Sequence, residues 1–411
     1  MRKGDYFGTS VTLGYVQGAY EGYADNLVIE GAPNERVRFI LGTQLTGISK
    51  TAGFTNVYQA ALPAAKAPYY FIHEHDSPEG LIPLAERHPL HLGQAYRSPV
   101  YRMRPAASIA AVDAGAASYY YDGSAQIIYF RTPSSDDPTA SGKSYYVPAN
   151  QTSFYKTAGF GAATAGRTGY VEGRRIEVWY AYQGFQMGGC SQYRLYDCTA
   201  VGCSLQGFYE GPSGGETINC RSIASGEDGF AGFGQDGAQP VTYHNQRSYY
   251  ANIYSAMNGD DGWSQHVRNN AVIYGGLSEY NDDSGFAPVL GCELVGHNLI
   301  ARKNGQALTH NGATGEGFTV RQNATATEGG VNTCMVLHDC IGDGNTRNFA
   351  VGDGGTNVTL YRPISLNATQ YGYAAVTAGD LMTVIDGKTL GDAVAKYAAG
   401  TINVITAAAL T

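Results

Sequence analysis

The chain has 411 residues, with 55 Gly, 32 Tyr, only 15 % charged residues and a formal net charge of -8. Low charge with much Gly and many β-formers argues for an all-β protein with frequent turns. The acidic balance argues against a general nucleic-acid binder, which needs a basic face to displace counterions, and no apolar run is long enough for membrane insertion.

The start, Met1-Arg2-Lys3-Gly4-Asp5, leads into no apolar signal region. Synthesis in a cytoplasm is expected, which would also suit a virion protein released by lysis. The seven Cys are odd in number and form no CxxC pair. Cys198 and Cys220 stand at matching places in two strands, which predicts stacked, buried, small hydrophobes rather than disulfides or metal ligands.

In chain order, residues 1–60 read as opening coils of a solenoid, with strands over 25–31 and 36–42; in the second, Val37, Phe39 and Leu41 alternate. Residues 61–169 read as an inserted loop and β-meander lobe. Its segment 86–105 carries Arg87, His88, His91, Arg97, Arg102 and Arg104, interrupted by Pro89, Pro99 and Pro105. Two readings stay open: a clamp for an anionic ligand such as an acidic sugar, or arginines pairing with local carboxylates and carbonyls. The meander has strands over 118–121, 127–131 and 143–147, with Asp122-Gly123 as a hairpin turn. Residues 149–169 read as a linker or a return crossing. The main solenoid spans 170–380, and 381–411 reads as a cap or oligomer contact. In that tail, Leu390, Val394 and Tyr397 have helical spacing and predict a short helix over 388–399, followed by a β-like stretch over 401–408.

Within the main segment, short apolar strands recur over 176–180, 193–198, 217–223, 251–256, 271–277, 293–300, 318–323, 335–341 and 357–364. A second mark travels with them: Gly184-Phe185, Gly207-Phe208, Gly229-Phe230, Gly262-Trp263 and Gly285-Phe286, at steps of 23, 22, 33 and 23 residues. A fixed period of this size predicts a solenoid. The strands are too short for helical repeats, so the coil must stack strand on strand. Asn298 and Asn323 are expected in an internal amide column. The longer step implies an insertion of about eleven residues near 235–246, a candidate groove wall.

The repeat resembles the right-handed parallel β-helix of pectin-lyase-like proteins and of phage tailspikes, over residues 170–380 and the opening coils. The meander also resembles the small β-insert of several carbohydrate-active β-helix enzymes. The tailspike resemblance implies a homotrimer, a virion location and a bacterial surface or capsular polysaccharide as substrate or receptor.

Three acidic turns recur beside the Gly-aromatic marks: Gly226-Glu227-Asp228-Gly229, Gly259-Asp260-Asp261-Gly262 and Asn281-Asp282-Asp283-Ser284-Gly285. In register, they would set carboxylates about 5–10 Å apart, a range used in glycoside hydrolysis, and crowding would separate their pKa values. Asp and Gly are equally ordinary turn residues. The Gly-Asp-Asp triplet resembles that of polygalacturonases, which implies acid and base roles for Asp260 and Asp261. Asp228, Asp283 and His266 complete the candidate catalytic set. A lyase would instead need a base and a cation, with His266, Arg268, Tyr280, Arg247 and His244 as candidates. Trp263, Arg247, Arg268 and Tyr280 are the candidate substrate-binding residues. No nucleotide or zinc motif is present, no cofactor is expected, and Ca2+ on the aspartate runs is the one metal considered. These readings lead to a hydrolase or lyase acting on a polysaccharide, with a non-catalytic glycan-binding or structural spike as the alternative and a uronate epimerase as a third reading.

Overall fold

The computed structural model describes residues 4–7, 11–12, 26–33, 37–75, 100–149, 158–161, 168–187, 190–210, 214–233, 247–267, 269–305, 315–321, 332–352 and 356–406. Successive coils stack through parallel pairing, rung on rung, and the chain is an all-β parallel β-helix. One eleven-stranded sheet runs in strict sequence order from Val11–Thr12 through Phe230–Phe233, Trp263–His266 and Phe286–Pro288 to Val394–Ala398. The longer strands, such as Asn270–Glu279 and Glu293–Arg302, bend where Gly275 and Asn298 adopt positive φ of 69° and 55° and so serve two faces of the coil. Gly and Asn tolerate that conformation best, which is why they stand at the corner.

The Gly-aromatic marks are in register. Phe208, Phe230, Trp263, Phe286, Phe318, Phe349 and Tyr373 form one internal column. Phe185 and Phe208 stack at 4.7 Å and Phe208 and Phe230 at 4.6 Å, close to the spacing of adjacent strands. Each ring is buried, and burying one side chain of this size contributes roughly 1.5–3 kcal/mol. The column ends at Lys396, whose register partner is Tyr373. Cys198 and Cys220 are buried free thiols in the same core.

A second column is polar. Asn258, Asn281, Asn304 and Asn345 pass amide hydrogen bonds from rung to rung, as from Asn258 Nδ2 to Asn281 Oδ1 at 2.9 Å and from Asn281 Nδ2 to Asn304 Oδ1 at 2.8 Å, and Asn345 donates to Asn348 within its own coil. The expected column members differ: Asn298 is exposed at the corner, where its positive φ is used, and Asn323 lies outside the described residues.

The lobe is an eight-stranded sheet in the order Thr43–Gln44, Ser144–Val147, Ile72–His75, Val100–Pro105, Ser118–Asp122, Ile127–Arg131, Tyr58–Ala61, Ser49–Lys50. It has its own core, with Ile72, Met103, Ile128 and Phe130 fully buried. Thr43 to Ala61 therefore pair within the lobe, while Asn26–Glu30 and Val37–Ile40 pair with the solenoid strands Thr168–Arg174 and Glu177–Trp179. Ala158–Gly161 and the first two residues of Thr168–Arg174, in the stretch read as linker or return crossing, belong to rungs of the solenoid.

The helix expected over 388–399 is replaced by the strands Lys388–Leu390 and Val394–Ala398, and Thr401–Ile405 completes the coil. Parallel pairing with the rung below, such as Leu366 with Leu390 and Tyr371 with Val394, wins over the helical spacing. Among the described residues no later rung covers this coil, and Leu390 remains 72 % exposed.

Candidate active site

The acidic turns follow one local pattern. In each coil the chain leaves a strand through a residue of positive φ, namely Ala224, Met257 or Tyr280. It then passes the polar column at Ser225, Asn258 or Asn281; the Ser225 amide donates to Asn258 Oδ1, and the Asn258 and Asn281 side chains bond the neighbouring rung. Two positions later comes an acid, and Gly and an aromatic re-enter the core. The ladder on either side holds these turns in register, so Glu227, Asp260 and Asp283 form one column. The amide of Asp260 donates to the Glu227 carbonyl at 3.3 Å, and that of Asp283 to the Asp260 carbonyl at 3.1 Å. Asp228, Asp261, Ser284 and Glu316 form the adjacent column, in register through the strands that follow.

Asp260, Asp261 and Asp283 each bring a carboxylate oxygen within 4.8 Å of the others. Asp261 and Asp228 are buried, and both pKa values rise well above the usual carboxylate range. For Asp261 the causes are burial, then Asp260 and Asp283, with Arg321 opposing. For Asp228 they are burial, then Asp260, Asp261 and Glu227. Asp260 is only half-buried. The arrangement sets buried acids, in which the neutral form is favoured, beside a more exposed one, which is the separation that general acid–base chemistry needs. Arg321 bonds Asp283 Oδ2 at 2.7 Å and Glu316 Oε2 at 2.7 Å, which anchors that end of the cluster. Oxygen donors at this spacing also suit a hard cation such as Ca2+, although Arg321 already takes part of the Asp283 carboxylate.

The lobe forms a wall over these turns. Gly226 and Gly259 leave room for it: a Cβ at either would collide with backbone of the preceding rung and crowd Tyr70 or Phe71. On the third rung the equivalent position is Asp282, fully buried, which receives Arg102 at 3.0 Å and Arg104 at 3.4 Å. Tyr70 donates its hydroxyl to Glu227 Oε1 at 2.8 Å. Tyr69, 45 % exposed, meets Tyr70 and Tyr182 edge-on at ring distances of 4.4 and 5.9 Å. Of the two readings for the basic segment, Arg102 and Arg104 follow the second and pair with a local carboxylate. Arg87, His88, His91 and Arg97 lie outside the described residues.

The structure thus brings Asp228, Asp260, Asp261 and Asp283 together. His266 joins them: its Nε2 is 3.9 Å from Asp228 Oδ2 and 2.9 Å from Ser264 Oγ. Burial lowers its pKa to about 4, so the ring is neutral near pH 7. Trp263 is a correction: it is fully buried in the aromatic column, packed edge-on against Tyr250, and cannot dock a sugar. Its Gly-aromatic position already marked it as core. Tyr280 sits on the positive-φ corner with Lys303 Nζ 5.6 Å from its ring, and Arg247 bonds Glu293 at 2.7 Å at the opposite end of its strand from the acidic turn. Arg268, His244 and the insertion at 235–246 lie outside the described residues. Glu227, Tyr69, Tyr70 and Arg321 were missed as site residues. Only Glu227 carried a signal, its place one residue before Asp228.

The architecture is a parallel β-helix. Among the solved structures similar to it are two. Pectate lyase Pel9A matches 60 % of this chain and 67 % of its own, at 15 % identity and a TM-score of 0.41. A glycoside hydrolase matches 99 % of this chain and 88 % of its own, at 11 % identity and a TM-score of 0.40. No protein-family model and no curated protein sequence matches the chain.

Proposed function

We propose that the protein is a polysaccharide-active enzyme that hydrolyses glycosidic bonds with the carboxylates of the acidic turns. The observation that carries this reading is the register of Asp260, Asp261 and Asp283, three acids within 4.8 Å at an aromatic-walled face. Asp261, held protonated by burial and its acidic neighbours, is the proton donor to the leaving oxygen. Asp260, more exposed, is the partner carboxylate that activates water or stabilises positive charge at the sugar. Arg321 and the Tyr70–Glu227 bond hold the flanks. Tyr69 offers ring surface for an apolar sugar face.

In its finer form the proposal is a tailspike-type depolymerase, virion-borne and trimeric, acting on bacterial surface or capsular glycan; the resemblance of the repeat supports this. A lyase remains the alternative chemistry, with neutral His266 as the base and Ca2+ or a guanidinium as the cation.

A second reading, a glycan-binding or structural spike without turnover, is favoured by one observation. Asp228 Oδ1 accepts the Asp261 amide at 3.2 Å and Asp261 Oδ1 the Ser284 amide at 2.9 Å, so both acids also serve the backbone.

Incubation with a panel of neutral and acidic bacterial polysaccharides, with and without Ca2+, tests these readings. Reducing ends without ultraviolet absorbance support the hydrolase. An unsaturated-uronate signal moves the assignment to a lyase. Binding without either product sinks the enzyme reading.

A further inference from the structure

One strand of the lobe, Val100–Pro105, carries two arginines to the third acidic turn. Met103 between them is fully buried in the lobe core, so strand alternation turns Arg102 and Arg104 to the same side, toward the solenoid. Arg102 Nη2 lies 3.0 Å and Arg104 Nη2 3.4 Å from one atom, Asp282 Oδ1, so the two forks converge on a single oxygen. Phe71 packs against Arg102, with its ring centre 4.8 Å from Cζ.

The pairing leaves one arm of each guanidinium unused. Nη1 of Arg102 and Nη1 of Arg104 are both buried and have no hydrogen-bond partner among the described residues. His73, the register partner of Arg102 on the adjoining strand Ile72–His75, is fully buried and has no partner there at either ring nitrogen. Each Nη1 bears two N–H donors, and buried donors are almost always met by an acceptor.

Charge is out of balance at the same place. Two guanidinium ions share one carboxylate, and among the described residues neither pairs with another. The Arg102 side chain is only 10 % exposed. Burial pushes its pKa down from the usual range; Asp282 opposes this and Arg104 adds to it. An arginine does not answer by giving up its proton. A water molecule would meet the donors and leave the charge. A monovalent anion meets both.

We propose that the lobe and the solenoid enclose a site for one small inorganic monovalent anion, such as chloride, held between Nη1 of Arg102 and Nη1 of Arg104. The two guanidinium ions then face Asp282 with one arm each and the anion with the other. A divalent anion would reverse the imbalance instead of cancelling it. Arg104, whose side chain is 25 % exposed, is the entrance. The anion fastens the lobe over the acidic turns, so the docking of the lobe depends on which anions are in solution. The inference is independent of the chemistry of those turns.

Melting of the full chain at fixed ionic strength tests it, with chloride replaced stepwise by gluconate, a monovalent anion too large to be enclosed. Chloride should raise the melting temperature by about 2 °C or more, and saturably, because it binds the folded chain alone. Arg104→Gln removes the surplus charge and leaves the closer pair of Arg102 with Asp282. It should melt at the same temperature in both salts, and in gluconate no lower than the wild type. Crystals of the wild type grown in bromide should give an anomalous-scattering peak in contact with both Nη1 atoms, a measurement that needs no variant. Equal melting of the wild type in both salts overturns the proposal, even beside such a peak, which is then binding at crystal concentration only. Crystals with no halide at the two Nη1 atoms overturn it as well, as does a folded Arg104→Gln protein that keeps the chloride dependence.

Discussion

The backbone amide of Asp261 lies 3.2 Å from Asp228 Oδ1, one rung away. The buried acid of one coil is thus tied to the backbone of the next, and acid spacing follows rung spacing. Asp261→Asn keeps the shape and the oxygen that accepts the Ser284 amide, but cannot give up a carboxylic proton. Turnover on a responsive polysaccharide should fall roughly 10²–10⁴-fold with the melting temperature little changed. Equal turnover in variant and wild type would remove Asp261 from the chemistry.

Arg102 and Asp282 hold the lobe against the acidic turns at 3.0 Å, with the Asp282 carboxylate fully buried. Arg102→Ala leaves that carboxylate with less compensation; Arg104 remains at 3.4 Å. A loss of about 3 kcal/mol is expected in denaturant unfolding, since breaking a buried pair from one side costs about 3–5 kcal/mol. Arg102→Ala with Asp282→Asn should recover part of it. Failure of the second change to recover anything would argue against the pairing.

Trp263 and Tyr69 should separate stability from binding. Trp263→Ala opens a cavity in the aromatic column and should cost about 3–5 kcal/mol. Tyr69→Ala, on the exposed rim, should change stability by less than about 0.5 kcal/mol while weakening retention in affinity electrophoresis with glycan in the gel. Unchanged retention of the Tyr69 variant on a glycan that slows the wild type would exclude Tyr69 from the binding face.

Glu210 predicts a pH dependence of stability. Burial raises its pKa from 4.5 to about 7, against hydrogen bonds from Tyr250 and Thr217. The folded value lies above the unfolded one, so its contribution is complete below about pH 4.5 and is lost as pH rises through about 7. The loss is of the order of 3 kcal/mol. Glu210→Gln should flatten the fall in melting temperature across that window. An unchanged slope would show that Glu210 does not set it.

Asn281 tests the polar column. It donates to Ser278 Oγ at 2.8 Å and Asn304 Oδ1 at 2.8 Å and accepts from Asn258. Asn281→Ala orphans several buried groups, each worth about 1–3 kcal/mol. Its destabilisation should exceed that of Asn298→Ala, which lies on the exposed corner. The reverse order would displace the column from its structural role.

The periodicity visible in the sequence was a property of the core. Gly-Phe at steps near 23 residues is legible because each coil must refill the same internal slot, and the acids beside those marks inherit their register. The asparagine column was written at the same step, at Asn258, Asn281 and Asn304, but was sought at Asn298. Asn serves both an internal ladder and a positive-φ corner, and residue type alone does not separate the two uses. Trp263 shows the same ambiguity for aromatics: its period placed it inside, its chemistry suggested outside, and burial decided. The helical spacing of Leu390, Val394 and Tyr397 arose by chance across two short strands and their turn. Tyr70, Arg102 and Arg321 reach the acids through tertiary packing and carry no period at all.

Above Tyr373, Lys396 takes the next slot of the aromatic column. A strand laid on that rung would trap an ammonium ion where the coils from Phe185 to Tyr373 place a ring or indole. Desolvating an unpaired charge costs more than one aromatic contact returns. Over that slot the last described coil therefore makes a poor template for a further strand, through a single side chain.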